Sequence, residues 1–170
     1  MNWYILYVLS YKAEHLLPNL NSMNFTEAFI PKYEYYHRKS KKYEIKPMFS
    51  GYIFIKSSLD QLTFNDALRH LEQKNGILKQ LVKKETSALT VDEIDMFEKL
   101  LDSSYIIRMS KAYIQEGKAV VVEGPLKAFE KNITKVISHE QFCYLDLSFM
   151  DRKIRAGLKI IDKNDIERME

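Results

Sequence analysis

One change of rhythm constrains the fold of this chain more than any other feature. Up to about residue 101, strand-like runs alternate with helix-like ones; beyond about residue 116, strand-like runs crowd together. They cover residues 118–122, 133–137, 142–147, 152–156 and 158–161, with turn signals at Gly124-Pro125 and at Ser138-His139-Glu140. Five short strands in so brief a stretch imply a small β-barrel, because each is too short to bury a face alone. Residues 102–104 are turn-like, and residues 105–113 have no sustained period. The expected division is therefore a first domain of residues 1–105, a linker of 106–115 and a barrel domain of 116–170.

Within the first domain, residues 3–8 carry large apolar side chains at both parities, the pattern of a central strand covered on two sides. Residues 11–23 place Leu16, Leu17 and Leu20 at helical spacing. Pro18 lacks a backbone donor, so it must lie in the first turn of that helix or kink it. A short strand is expected at 29–31, then a projecting arm of two strands, 33–37 and 43–48, around the tip Arg38-Lys39-Ser40-Lys41-Lys42. Residues 51–55 read as another strand. Ser57-Ser58-Leu59-Asp60 offers N-caps to a helix carrying Phe64, Leu68 and Leu71, with Asn75-Gly76 as its stop. A strand at 77–82 follows, and Thr90 with Glu93 forms a capping box before Ile94, Phe97, Leu100 and Leu101. The fold class is α+β: an antiparallel sheet with flanking helices, then a five-stranded barrel.

Composition excludes several classes of function. The longest apolar runs fall far short of the roughly 20 residues needed to cross a bilayer, and Met1-Asn2-Trp3 lacks the basic flank of a signal peptide. A cytoplasmic protein is expected. The single cysteine, Cys143, sits in an apolar run and reads as a buried thiol rather than a zinc ligand. His15, His37, His70 and His139 lie in unrelated elements without metal-ligand spacing, and the five glycines are too scattered for a phosphate loop. No catalytic residue, metal site or cofactor is expected.

A formal charge of +3 does not by itself announce a nucleic-acid partner. Its distribution carries more. Around the arm, Lys32, Arg38, Lys39, Lys41, Lys42 and Lys46 face only Glu34 and Glu44, with tyrosines and His37 interleaved. A solvated hairpin tip and a phosphate contact both fit this composition. In the barrel domain the charges nearly balance, so only a one-sided arrangement would bind RNA. Lys127 and Lys131 after Gly124-Pro125, and Arg152 with Lys153 in the late turn, are the candidates for one end of the barrel.

Trp3-Tyr4-Ile5-Leu6-Tyr7-Val8, Phe29-Ile30-Pro31 and Lys46-Pro47-Met48-Phe49-Ser50-Gly51-Tyr52-Ile53-Phe54-Ile55 resemble, in order and spacing, the N-terminal (NGN) domain of NusG-family transcription factors. Residues 117–126 and 147–158 resemble the family's KOW barrel. Some positions depart from the pattern: Ser50 stands in place of a usual proline, Ala128 and Lys131 in place of glycines, and Met150-Asp151 in place of a glycine turn. The chain thus looks more like a specialised paralogue of the LoaP or RfaH kind than the general factor. The resemblance implies an operon-specific antiterminator, a monomer without enzymatic activity. It implies Tyr7, Tyr52 and Phe54 as contacts for the clamp helices of the largest RNA polymerase subunit. A nascent RNA hairpin and non-template DNA are implied as further partners. A general NusG-like factor and a ribosome- or RNA-associated KOW protein are the alternatives. The barrel is expected to rest as β-structure rather than as a helical hairpin, because β-branched residues fill 120–122 and 133–137 and Gly124-Pro125 interrupts any helix between them.

Overall fold

In the computed structural model, the described residues are 1–24, 26–71, 75–81 and 89–168. The expected first strand is β1 (Asn2–Val8), with four consecutive buried residues from Trp3 to Leu6. After a single 3-10 turn, α1 (Ala13–Asn21) carries Pro18 at its sixth position, inside the helix rather than in its first turn. β2 (Thr26–Phe29) begins and ends earlier than expected, so Pro31 lies outside it. β3 (Lys32–His37) and β4 (Lys42–Pro47) form the arm. β5 (Tyr52–Ser57) then returns beside β1 with antiparallel register Tyr4↔Ile55 and Leu6↔Ile53.

In α2 (Gln61–Arg69) the Asp60 carboxylate accepts the Thr63 backbone N–H at 2.8 Å, and this bond holds its carboxyl below the ordinary range. The helix stops at Arg69, short of the expected Asn75-Gly76 signal; Gly76, at φ 105°, instead turns the chain into β6 (Ile77–Gln80). Val82, at the end of the expected strand, lies outside the described residues. The capping box is present: Thr90 N–H donates to Glu93 Oε2 at 2.8 Å and Glu93 N–H to Thr90 Oγ1 at 3.2 Å, opening α3 (Val91–Leu100).

Contacts gather the chain into two compact units, Met1–Pro31 with Pro47–Asp95, and Lys32–Lys46 with Met96–Glu170. The first is built on a four-stranded sheet of order β2-β5-β1-β6. One face packs Tyr4, Leu6, Ile53 and Ile55 on Leu16 and Leu20 of α1 and Phe64 of α2. Tyr4 stacks on Phe64 at 4.1 Å, and its hydroxyl donates to the Leu59 carbonyl at 2.8 Å, so the buried ring keeps its polar end satisfied.

In the second unit, β7 (Ile106–Ile107) adds in parallel to β3, giving a small sheet of order β4-β3-β7. The remaining strands are β8 (Ser110–Gln115), β9 (Lys118–Glu123), β10 (Ile133–Ile137), β11 (Phe142–Phe149) and β12 (Arg152–Ile160). They curl into a five-stranded half-barrel of order β10-β11-β12-β8-β9. Two strand assignments differ from expectation. The two last expected strands are one, because Gly157 continues β12 without a break. The fifth strand, β8, comes from the aperiodic segment; its inward residues, Ser110 and Ala112, are too small to mark a period. Leu126, Phe129, Leu145, Phe149, Ile154 and Leu158 are buried in this unit, along with Cys143, whose burial pushes its thiol up to about 12. Met150 and Asp151 both take positive φ, 54° and 59°, so two non-glycine residues make the tight β11–β12 turn.

Candidate functional site

Two aromatic surfaces emerge, one in each unit. In the first, Tyr7 and Tyr52 are register partners on β1 and β5, with ring centroids 5.2 Å apart, and both are half-buried. Phe49 stands edge-on to Tyr52 at 6.5 Å, and the Lys79 ammonium lies 6.0 Å from the Tyr7 ring. Phe54 departs from its expected role as a surface contact. It is 0% exposed, lying 5.7 Å from Phe29 and nearly parallel to Phe49 at 6.2 Å. β5 is an inner strand covered on both faces, so alternation along it does not lead to solvent. Trp3, at 2% exposure, belongs to the core as its sequence pattern suggests.

The second surface lies in the other unit. The arm was expected to project, yet every residue of β3 is half-buried, because β3 lies against β12. The Met109 backbone N–H donates to Glu34 Oε1 at 2.9 Å, and Tyr43 donates its hydroxyl to Gln141 Oε1 at 2.7 Å. Arg38 lies 3.9 Å from Glu140. At Gly157 the approach is so close that a Cβ would collide with Met109 Sδ and stand 2.9 Å from the Glu34 carbonyl oxygen. Arg108 binds Asp102 at 2.7 Å and Glu34 at 3.8 Å. Burial raises the Asp102 carboxyl, but the Arg108 side chain and the backbone N–H groups of Ile106 and Ser104 outweigh it and hold the group below its ordinary value.

On this surface Tyr33 and Tyr35 stand side by side at 5.7 Å, with the Lys46 ammonium 5.4 Å and 4.5 Å from their rings. Opposite, the Arg155 guanidinium lies 4.3 Å from the centre of the Phe142 ring. These residues, with Tyr36, His37, Arg38, Glu140 and the Ala156-Gly157 backbone, enclose a half-open cleft of about 250 Å³. Phe142 and Arg155 were not singled out in the sequence. Only the β11–β12 register, Tyr144↔Arg155 and Phe142↔Gly157, brings them together.

The expected nucleic-acid contacts fall in three places. Arg38, Lys39, Lys41 and Lys42 are exposed at the arm's tip; Lys127 and Lys131 are exposed on the 3-10 segment Pro125–Asn132; Arg152 and Lys153 are exposed where β12 leaves the late turn, opposite Phe149 and Ser148. Among the described residues no group of three or more histidine, cysteine or acidic side chains could hold a metal ion, and no helix is long and apolar enough to cross a membrane.

Comparison with known proteins finds a matching family and solved structures of similar fold. Residues 1–98 match the family described as transcription termination factor NusG. Over 93% of both chains the fold is similar to that of Thermotoga maritima NusG, in a structure titled for domain interaction in that protein, with a TM-score of 0.55 and 16% sequence identity. No curated protein matches.

Proposed function

Since the chain belongs to the NusG family, whose members are transcription factors that bind RNA polymerase rather than enzymes, we propose that it is an operon-specific elongation and antitermination factor. The region of residues 1–105 binds the clamp helices of the largest polymerase subunit, and holding the clamp in its elongating arrangement suppresses pausing or termination. No bond is made or broken; a population is shifted by differential binding.

The observation that carries this reading is the Tyr7–Tyr52 pair. Two half-exposed rings sit on neighbouring strands within the family-matched region, above a buried aromatic layer of Phe49 and Phe54. Rigid aromatics with a packed underside bury large areas at little entropic cost, which suits them to receive the apolar face of a partner helix. Phe54 contributes from beneath by fixing this surface.

The specialised role, of the LoaP or RfaH kind, rests on the departures at Ser50, Ala128, Lys131 and Met150-Asp151. In this reading residues 116–170, completed by β8 (Ser110–Gln115) as the fifth strand, form the KOW domain, and its exposed Lys127, Lys131, Arg152 and Lys153 contact a nascent RNA hairpin. The tip cations Arg38, Lys39, Lys41 and Lys42 contact nucleic-acid phosphates, non-template DNA included. The protein acts as a monomer in the cytoplasm.

The test is transcription in vitro across a terminator on a sensitive operon template. Added protein should raise read-through, and Tyr52→Ala should abolish the rise. Unchanged termination on that template would overturn the antiterminator reading and leave a ribosome- or RNA-associated role.

A further inference from the structure

Apart from Arg38 on its rim, the cleft between the arm and β12 plays no part in the function proposed so far, yet it is built rather than incidental. Hydrogen bonds from Met109 to Glu34 and from Tyr43 to Gln141 seat the arm, and Gly157 leaves no clearance beneath it. Its walls pair aromatic rings with cations, Lys46 over Tyr33 and Tyr35, Arg155 over Phe142. Neither Lys46 nor Arg155 forms an ion pair among the described residues, so both charges are free for an incoming anion.

Three cations line the cleft, Arg38, Lys46 and Arg155, against one carboxylate, Glu140. A ligand that suits it is flat, offers π faces to the rings, carries a negative group for the rim and can donate a hydrogen bond to Glu140. About 250 Å³ is below the roughly 300–1,000 Å³ of drug-sized sites. One base with its phosphate meets these requirements, and the cationic tip 38–42 adjoins the cleft to receive the phosphates that follow it.

We propose that the cleft bounded by Tyr33, Tyr35, Lys46, Phe142 and Arg155 takes one unpaired nucleobase of the RNA, stacked on the aromatic walls with its phosphate on the cationic rim. This rests on the RNA reading above and adds to it a base-dependent contact, as single-stranded RNA is commonly read by aromatic and guanidinium stacking. Charged loops alone track phosphates and are indifferent to bases.

The test uses the full chain and labelled oligonucleotides about eight nucleotides long, followed by fluorescence anisotropy at low salt. The probes are oligo(A) RNA, the same ribose-phosphate chain without bases, and oligo(dA). The base-bearing RNA should bind roughly tenfold or more tighter than the abasic chain, the scale of one stacked base. Phe142→Leu, which keeps the apolar volume and removes the π face, should erase most of that difference and leave the abasic affinity unchanged; Tyr35→Leu should do the same. Equal binding of base-bearing and abasic RNA by the native chain would overturn the base site while leaving the phosphate contacts standing. Equal binding of oligo(dA) and oligo(A) would overturn its assignment to RNA. Absence of binding to every probe would overturn the site and the RNA reading together.

Discussion

The Tyr7–Tyr52 surface and the arm cleft are both aromatic, but they differ in what surrounds the rings. Tyr7 and Tyr52 lie on inner strands of a sheet, over the buried rings of Phe49 and Phe54, with the Lys79 ammonium 6.0 Å from the Tyr7 ring. Tyr33, Tyr35 and Phe142 line a cavity, and Lys46 and Arg155 stand 4.5 Å and 4.3 Å from the ring centres. An apolar surface with a packed underside favours a protein partner, since its gain comes from excluding water. Rings capped by unpaired cations favour an anionic planar partner, since charge and stacking act together. Chemical neighbours, rather than the aromatic residues themselves, distinguish the two surfaces.

Substitutions in each region separate rings that support a surface from rings that are presented on it. The largest effect is expected from Phe54→Ala. Removing a fully buried ring beneath the first surface should cost about 3–5 kcal/mol of stability, read from urea unfolding. Tyr52→Ala, at a half-exposed position, should cost much less stability. If both unfold alike, the distinction between presented and supporting rings fails. Gly157→Ala comes next: its new methyl must displace Met109 or the Glu34 backbone, and about 1–3 kcal/mol of destabilisation should follow, read in the same way.

Charge reversal should act on binding rather than folding. Arg152→Glu with Lys153→Glu, or Lys127→Glu with Lys131→Glu, should weaken RNA binding and flatten its dependence on salt by about 0.7 in slope per lost phosphate contact. Polymerase affinity should stay as it was. If RNA binding is untouched, the partner of the barrel is a protein.

The smallest expected effect concerns pH. Asp102 is held below its ordinary value of 3.8 when folded, so the unfolded chain binds its proton more readily. Its contribution is therefore complete above that value and is lost as pH falls through the folded value. Asp102→Asn should flatten the acid limb of a stability profile and leave the neutral region's slope unchanged; an unaltered acid limb would show that the Arg108 contact contributes nothing.

Much of the fold was legible because local signals agreed with the tertiary outcome. The capping box at Thr90–Glu93, the Asp60 cap and the doubly apolar run of β1 each specify their element without reference to the rest of the chain. β8 carries no apolar period because the small residues Ser110 and Ala112 fill its inward positions. The break expected near Gly157 reflects its ambiguity: glycine often ends a strand, whereas here the missing Cβ admits the arm. Phe54 and Tyr52 share a parity on β5, and only the packing around each separates the buried ring from the presented one. The arm's charge and tyrosines were visible as composition, but the cleft needed Phe142 and Arg155, more than 90 residues away in sequence.

The most direct test of the central claim is the affinity of purified RNA polymerase for the full chain and for its Tyr52→Ala variant, at equal ionic strength and with folding verified by circular dichroism. The variant should bind weaker by roughly 2 kcal/mol, about 30-fold, the scale of a buried interfacial aromatic, while its RNA affinity stays unchanged. A well-folded Tyr52→Ala protein that keeps full polymerase affinity would contradict the assignment of the Tyr7–Tyr52 surface to the polymerase.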